Sequence, residues 1–138
     1  MNITEDYVSF EVAKLLKEKG FNEPIWTRYE DDNEVIFGDK YDWNNSPMGQ
    51  ISAPTLQMAM KWLREKYNIY ISIQPDFPSD KDYKMCWCWS ASILHENCIT
   101  LKEYQCYIET YEDAVETALK YSLENLISYE SIYRFKPK

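Results

Sequence analysis

The chain has 138 residues, of which 45% are hydrophobic, 28% charged and 16% aromatic, a composition typical of a soluble globular protein. A chain of this length buries roughly two-thirds of its surface on folding. We therefore expect one domain over residues 1–128, followed by a short tail over residues 129–138. The formal net charge of -8 argues against direct binding of nucleic acid and against an anionic membrane surface.

The sequence lacks the patterns of a membrane span and of a signal peptide. No apolar run approaches the length that crossing a bilayer requires. The first residues are polar and acidic, where a signal peptide is basic and then apolar. We expect a chain that stays in the cytosol of its host cell. In that reducing compartment the four cysteines are expected to be free, mostly buried thiols, and no motif indicates a cofactor.

Apolar residues at helical spacing predict a first helix over residues 9–19. Val12 and Leu16 lie on its apolar face. Ser9 is the predicted N-cap, and Gly20 is the predicted left-handed stop at the other end.

A hairpin is predicted next. Residues 25–30 and 34–38 are rich in β-branched and aromatic side chains, and a turn-forming Asp-Asp-Asn cluster separates them. Residues 39–50 contain Asn, Pro and Gly, which compete with regular backbone hydrogen bonding, so that a surface loop is predicted there.

The second half of the chain is predicted as helix, three strands and helix. The second helix runs from Ser52 to about Tyr67, and the strands cover residues 69–73, 83–94 and 103–109. The middle strand carries apolar groups on both faces, which is typical of a central strand. The last helix begins after Thr110, whose hydroxyl is placed to cap it.

The order α-β-β-α-β-β-β-α predicts an α+β fold. Short connections favour a mainly antiparallel sheet of about five strands with three helices on one face.

Three blocks of the sequence resemble a known group of proteins. The blocks are YVSFEVAKLLKEKGF at residues 7–21, ISAPTLQMAMKWLRE at residues 51–65 and YEDAVETALK at residues 111–120. They are similar to helices of small uncharacterised proteins encoded by phages, prophages and mobile elements of gut anaerobic bacteria. The resemblance implies an accessory protein of a phage or mobile element, and it implies no catalytic residue.

The cysteines and the single histidine raise the question of a metal site. In a strand, the C-x-C spacing of Cys86 and Cys88 points both sulfurs to one sheet face, with the two Cα atoms about 7 Å apart. Structural zinc knuckles space paired cysteines more widely along the chain. This favours structural thiols, and no metal is assigned. The metal alternative uses Cys86, Cys88, His95 and Cys98.

The abundance of aromatic residues is the sequence feature that points most directly to function. The chain has 12 Tyr, 5 Trp and 5 Phe, and Tyr and Trp dominate protein interfaces because they combine apolar area with a hydrogen-bonding group. The alternative is that a small core simply uses large residues. The interface candidates are Tyr41, Trp43, Trp62, Trp87 and Trp89.

These observations favour a non-enzymatic phage or mobile-element accessory protein that binds another protein, or a second copy of itself, through exposed aromatic residues. Two alternatives stay open. The net charge of -8 suggests an acidic decoy that occupies a nucleic-acid-binding protein. A small thiol-dependent or hydrolytic enzyme would have to use His95, paired with Cys98 or Cys106.

Overall fold

A computed structural model describes residues 3–32, 34–77 and 84–127. The chain divides into two compact units, residues 1–59 and 60–138. The single domain expected over residues 1–128 stays a prediction. The predicted tail at residues 129–138 lies outside the described residues.

The first unit is built on a small antiparallel sheet. Its elements are α1 (Phe10–Glu18), β1 (Ile25–Tyr29), β2 (Val35–Tyr41), a 3-10 helix (Trp43–Asn45) and β3 (Ile51–Ser52). β1 is the central strand and pairs with both β2 and β3. The predicted hairpin is confirmed. β3 was not predicted, because a strand of two residues is too short to show an alternation of apolar and polar side chains.

Both predicted ends of α1 are confirmed. The Val12 N–H donates to the Ser9 hydroxyl oxygen at 3.2 Å, and Gly20 has a φ of +90°, which a residue without a Cβ adopts freely. The hydroxyl of Tyr29 donates to the Val8 carbonyl at 2.7 Å. This hydrogen bond ties β1 to the segment that leads into α1.

The second helix, α2 (Leu56–Tyr67), begins in the first unit and continues into the second. It starts later than predicted because Ser52 belongs to β3. It ends where predicted, since Asn68 has a φ of +57° and Asn tolerates the left-handed conformation that closes helices. The apolar stripe of α2 is buried and consists of Leu56, Ala59, Met60, Leu63 and Tyr67.

The second unit contains a longer antiparallel sheet and the last helix. The strands are β4 (Ile69–Asp76), β5 (Cys86–Leu94) and β6 (Ile99–Ile108), and the helix is α3 (Tyr111–Asn125). β5 is central, as predicted. Over the described residues, the α+β class and the three α-helices are confirmed, but the expectation of one sheet of about five strands is wrong. Six strands form two separate three-stranded sheets in this part of the chain.

α3 packs on one face of the second sheet. The rings of Trp87 and Tyr111 lie 5.4 Å apart, and those of Trp89 and Tyr121 lie 5.6 Å apart. The buried stripe of α3 consists of Ala114, Val115, Ala118, Leu119, Ser122 and Leu123. Within the described ranges, no helix combines the length and the apolar character that a bilayer crossing demands.

Candidate functional site

The face of the second sheet opposite α3 carries several large side chains. Tyr70 on β4 and Leu101 on β6 both pair in register with Ser92 on β5, and Tyr104 pairs with Ser90. Register partners point to the same face of a sheet, and neighbouring strands lie about 4.8 Å apart. The backbones at Tyr70 and Leu101 are therefore about 10 Å apart, and the buried Ser92 lies between them.

Four large side chains on this face are exposed. The exposed fraction is 41% for Tyr70, 65% for Ile99, 60% for Leu101 and 57% for Tyr104. Ile99 belongs to the same face because it pairs with Leu94, which lies an even number of residues from Ser92 on β5. Neighbouring exposed apolar groups of this size mark sites of interaction. We call these four side chains the open face.

The two edges of this sheet are poorly suited to pairing with another strand. β6 contains two register shifts relative to β5, and Tyr107 at one of them has a φ of +65°. β6 also carries Lys102, and β4 contains Pro75, which has no N–H to donate. Bulges, lysines and prolines are features by which proteins protect sheet edges. A partner is thus expected to contact the face of the sheet.

A disulfide lies at one end of the open face. Cys88 on β5 and Cys106 on β6 are bonded, so the expectation of free thiols is wrong for this pair. The strand register brings the two side chains together, and this register could not be derived from the separate strand predictions. An Asp76 carboxylate oxygen lies 3.9 Å from the Cys88 sulfur, and the Tyr104 hydroxyl lies 2.8 Å from the Cys106 sulfur.

The four residues of the metal alternative are not brought together. His95 and Cys98 lie in the turn between β5 and β6, where the His95 N–H donates to the Cys98 carbonyl at 2.8 Å. By the strand rise this turn is about 23 Å from Cys88. Cys86 is a free thiol and is buried, as expected for most of the cysteines. Cys98 is also a free thiol, but it is exposed.

A cleft of about 480 Å³ adjoins the disulfide end of the sheet. Its lining residues are Lys84, Met85, Cys86, Tyr107, Ile108, Glu109 and Thr110. Neither His95 nor Cys98 lines it. The thiol–imidazole pair on which the enzyme alternative depends is therefore not assembled in this cleft.

Two of the predicted interface residues are buried, and a third is half-buried. Trp62 is 7% exposed and Trp89 is 1% exposed. Trp87 is half-buried against Tyr111 of α3. The sequence shows that β5 carries Trp87 and Trp89, but the burial of these two rings follows from α3 covering one face of that strand.

The other two predicted interface residues lie in the first unit. Tyr41 is exposed and contacts the ring of Trp43 at 5.1 Å. Trp43 is half-buried: its indole N–H donates to the Ile25 carbonyl at 2.9 Å, and the Arg28 guanidinium lies 4.4 Å from the ring centroid. Trp43 is thus held in place by the first sheet, and Tyr41 is the more accessible of the two.

The Arg28 guanidinium is also paired with a carboxylate. Arg28 donates to Glu30 from two nitrogens at 3.1 and 3.0 Å, and the Gln50 amide donates to the same oxygen at 2.9 Å. The hydrogen bond from Gln50, followed by that from Arg28, holds the pKa of Glu30 below its usual range. Arg28, Glu30 and Gln50 form hydrogen bonds with one another, which indicates that they stabilise the first sheet.

The residues of the open face were not among the predicted interface residues, although the sequence contains a signal for them. Ile99 and Leu101 alternate with Thr100 and Lys102, a period of two that extends β6 beyond its predicted start. Tyr70 alternates with the isoleucines of β4 and therefore lies on the opposite face. What the alternation does not reveal is which face a helix covers.

Comparison with known proteins adds no relationship to this picture: no protein family, curated protein or solved structure matches the chain.

Proposed function

We propose that the chain is a non-enzymatic accessory protein that binds another protein through the open face of its second sheet. The observation that supports this most directly is the exposure of Tyr70, Ile99, Leu101 and Tyr104 on one sheet face. The proposed binding surface therefore consists of tyrosines and aliphatic residues of β4 and β6, and not of the tryptophans predicted from the sequence.

The charge of the chain indicates the chemistry of the partner. A net charge of -8 favours association with a surface of opposite sign and disfavours a second, equally acidic copy. We therefore expect a partner whose contact surface has an apolar centre bordered by Lys and Arg. We also propose that the protein is encoded by a phage or mobile element and that it acts in the cytosol of the host cell.

Affinity capture with matched variants tests the proposal. The immobilised chain is compared with the double variant Leu101→Ser, Tyr104→Ser and with a control, Trp26→Ser, Met48→Ser, which removes two equally exposed side chains from the first unit. The proposal is supported by a protein that the wild type and the control both retain and whose captured amount falls at least tenfold on the open-face variant. The affinity of this protein for the chain is then measured with purified components. No such discrimination, with unchanged circular dichroism, contradicts it.

Sedimentation equilibrium separates the two kinds of partner. A wild-type chain that is monomeric is expected, because copies of like charge repel each other. A dimer that dissociates in the Leu101→Ser, Tyr104→Ser variant would identify a second copy as the occupant of the open face. A dimer that persists in that variant would contradict the assigned surface.

A further inference from the structure

Three side chains with metal-binding atoms meet at the disulfide end of the open face. Asp76 on β4, Cys88 on β5 and Cys106 on β6 come from three adjacent strands. Their ligand atoms all lie within 4.8 Å of one another. The metal alternative considered from the sequence did not include Asp76, because its proximity to the cysteines depends on the register of the strands.

We propose that the chain binds one zinc ion through Asp76, Cys88 and Cys106 when the Cys88–Cys106 disulfide is reduced. Thiolates and carboxylates are both zinc ligands, at about 2.3 and 2.0 Å from the metal. In a tetrahedral site these lengths place a sulfur and an oxygen ligand about 3.5 Å apart. The Cys88 sulfur and the Asp76 oxygen are 3.9 Å apart, so a small side-chain rotation meets this requirement.

The disulfide and the metal site exclude each other. Reduction by a dithiol breaks the sulfur–sulfur bond: the dithiol supplies two electrons and two protons and becomes its own disulfide, and Cys88 and Cys106 become thiols. Zinc then displaces the two thiol protons to solvent, and the Asp76 carboxylate completes three protein ligands. The fourth position is left for water or for a group from a partner.

Two neighbouring groups favour the site. The Tyr104 hydroxyl, 2.8 Å from the Cys106 sulfur, can donate a hydrogen bond to the thiolate and orient it, as outer-shell partners do in metal sites. The net charge of -8 attracts a cation. Cys86 and Cys98 are not part of the set.

Cobalt and zinc titrations of a two-cysteine variant test the inference. In the background Cys86→Ser, Cys98→Ser, the remaining thiols are Cys88 and Cys106. After reduction with a phosphine, which becomes its oxide and competes poorly for metal, one equivalent of Co²⁺ is expected to give a thiolate charge-transfer band and visible bands of tetrahedral intensity. Zinc is expected to displace the cobalt with a stoichiometry of one.

Substitution of the exposed carboxylate gives the sharpest comparison. Asp76→Ala retains both thiols and is expected to weaken zinc binding at least tenfold, whereas the matched control Asp39→Ala on β2 leaves it unchanged. The oxidised chain is expected to give no cobalt spectrum. A reduced chain without the charge-transfer band, equal affinity in Asp76→Ala and Asp39→Ala, or equal binding by the oxidised chain would each overturn the proposal.

Discussion

A buried hydroxyl illustrates how single residues limit the stability of this fold. Ser122 lies on the buried stripe of α3 and is fully buried, and among the described residues its hydroxyl oxygen has no hydrogen-bond partner. Burial of an unpaired polar atom is unfavourable, because the hydrogen bond that the atom made to water is not replaced. Ala118, one turn earlier on the same stripe, shows that a methyl group is accepted on this surface.

We therefore expect Ser122→Ala to increase the free energy of unfolding by about 1 kcal/mol. Urea denaturation followed by circular dichroism measures the change. Thr117→Ala is the control on the same helix, because the Thr117 hydroxyl is exposed and donates to the Asp113 carbonyl at 2.8 Å; its effect should stay within about 0.5 kcal/mol. A destabilised Ser122→Ala variant would contradict this interpretation.

Gly38 shows the opposite case, in which the absence of a side chain makes room for a contact. A Cβ at this position would overlap the Arg28 guanidinium and would approach the Trp43 ring to 3.4 Å. The guanidinium occupies that space while it contacts Trp43 and pairs with Glu30.

Gly38→Ala is expected to lower the free energy of unfolding by about 1 kcal/mol, because the guanidinium must leave the ring. In an Arg28→Ala background the same change should be neutral or slightly stabilising, since alanine restricts the unfolded chain more than glycine does. A double-mutant cycle in urea measures both values. An equal cost in the two backgrounds would exclude Arg28 as the cause.

At the scale of secondary-structure elements, local hydrogen bonds define where the helices begin. The Asp113 N–H donates to the Thr110 hydroxyl oxygen at 3.0 Å, and Glu112 and Asp113 lie in the first turn of α3. Acidic side chains are favourable there because the N-terminal end of a helix dipole is positive. The predicted cap of α3 is therefore confirmed.

Removal of this cap should be measurable. Thr110→Ala is expected to reduce the free energy of unfolding by about 1 kcal/mol, because one backbone N–H at the start of α3 loses its acceptor. Thr110→Ser keeps the hydroxyl and should lose less than about half of that value. Thermal and urea denaturation of the three proteins provide the comparison, and equal stability of the alanine and serine variants would contradict a capping role.

At the scale of the whole molecule, the cross-strand disulfide restricts the unfolded chain. Cys88 and Cys106 are separated by 18 positions in the sequence. A closed loop of about this size stabilises a folded protein by about 3 kcal/mol, mainly because it removes conformational freedom from the unfolded state. The bond joins the central strand of the second sheet to an edge strand.

Reduction of the disulfide should accordingly lower the free energy of unfolding by about 3 kcal/mol when a chelator is present. Urea denaturation of the oxidised and the reduced chain gives the difference. The variant Cys86→Ser, Cys98→Ser should show the same difference, and Cys88→Ser, Cys106→Ser should show none. An equal response of the last variant to reductant would indicate that another group is responsible.

Local patterns in the sequence determined the three helices, most of the strands and the fold class. The spacing of Val12 and Leu16, the caps at Ser9 and Thr110, and the left-handed end at Gly20 depend on residues a few positions apart. Helix and strand periods are properties of such short segments, so they can be derived without knowledge of the fold. The central place of β5 followed in the same way from apolar groups on both of its faces.

Only the tertiary structure decided the division into two sheets, the pairing of the cysteines and the identity of the exposed rings. Trp89 and Tyr104 are both aromatic residues of neighbouring strands, yet Trp89 is buried and Tyr104 exposed, because they lie on opposite faces and α3 covers one of them. Asp76, Cys88 and Cys106 meet because of strand register. Register and burial arise from contacts between distant segments, which no local pattern specifies.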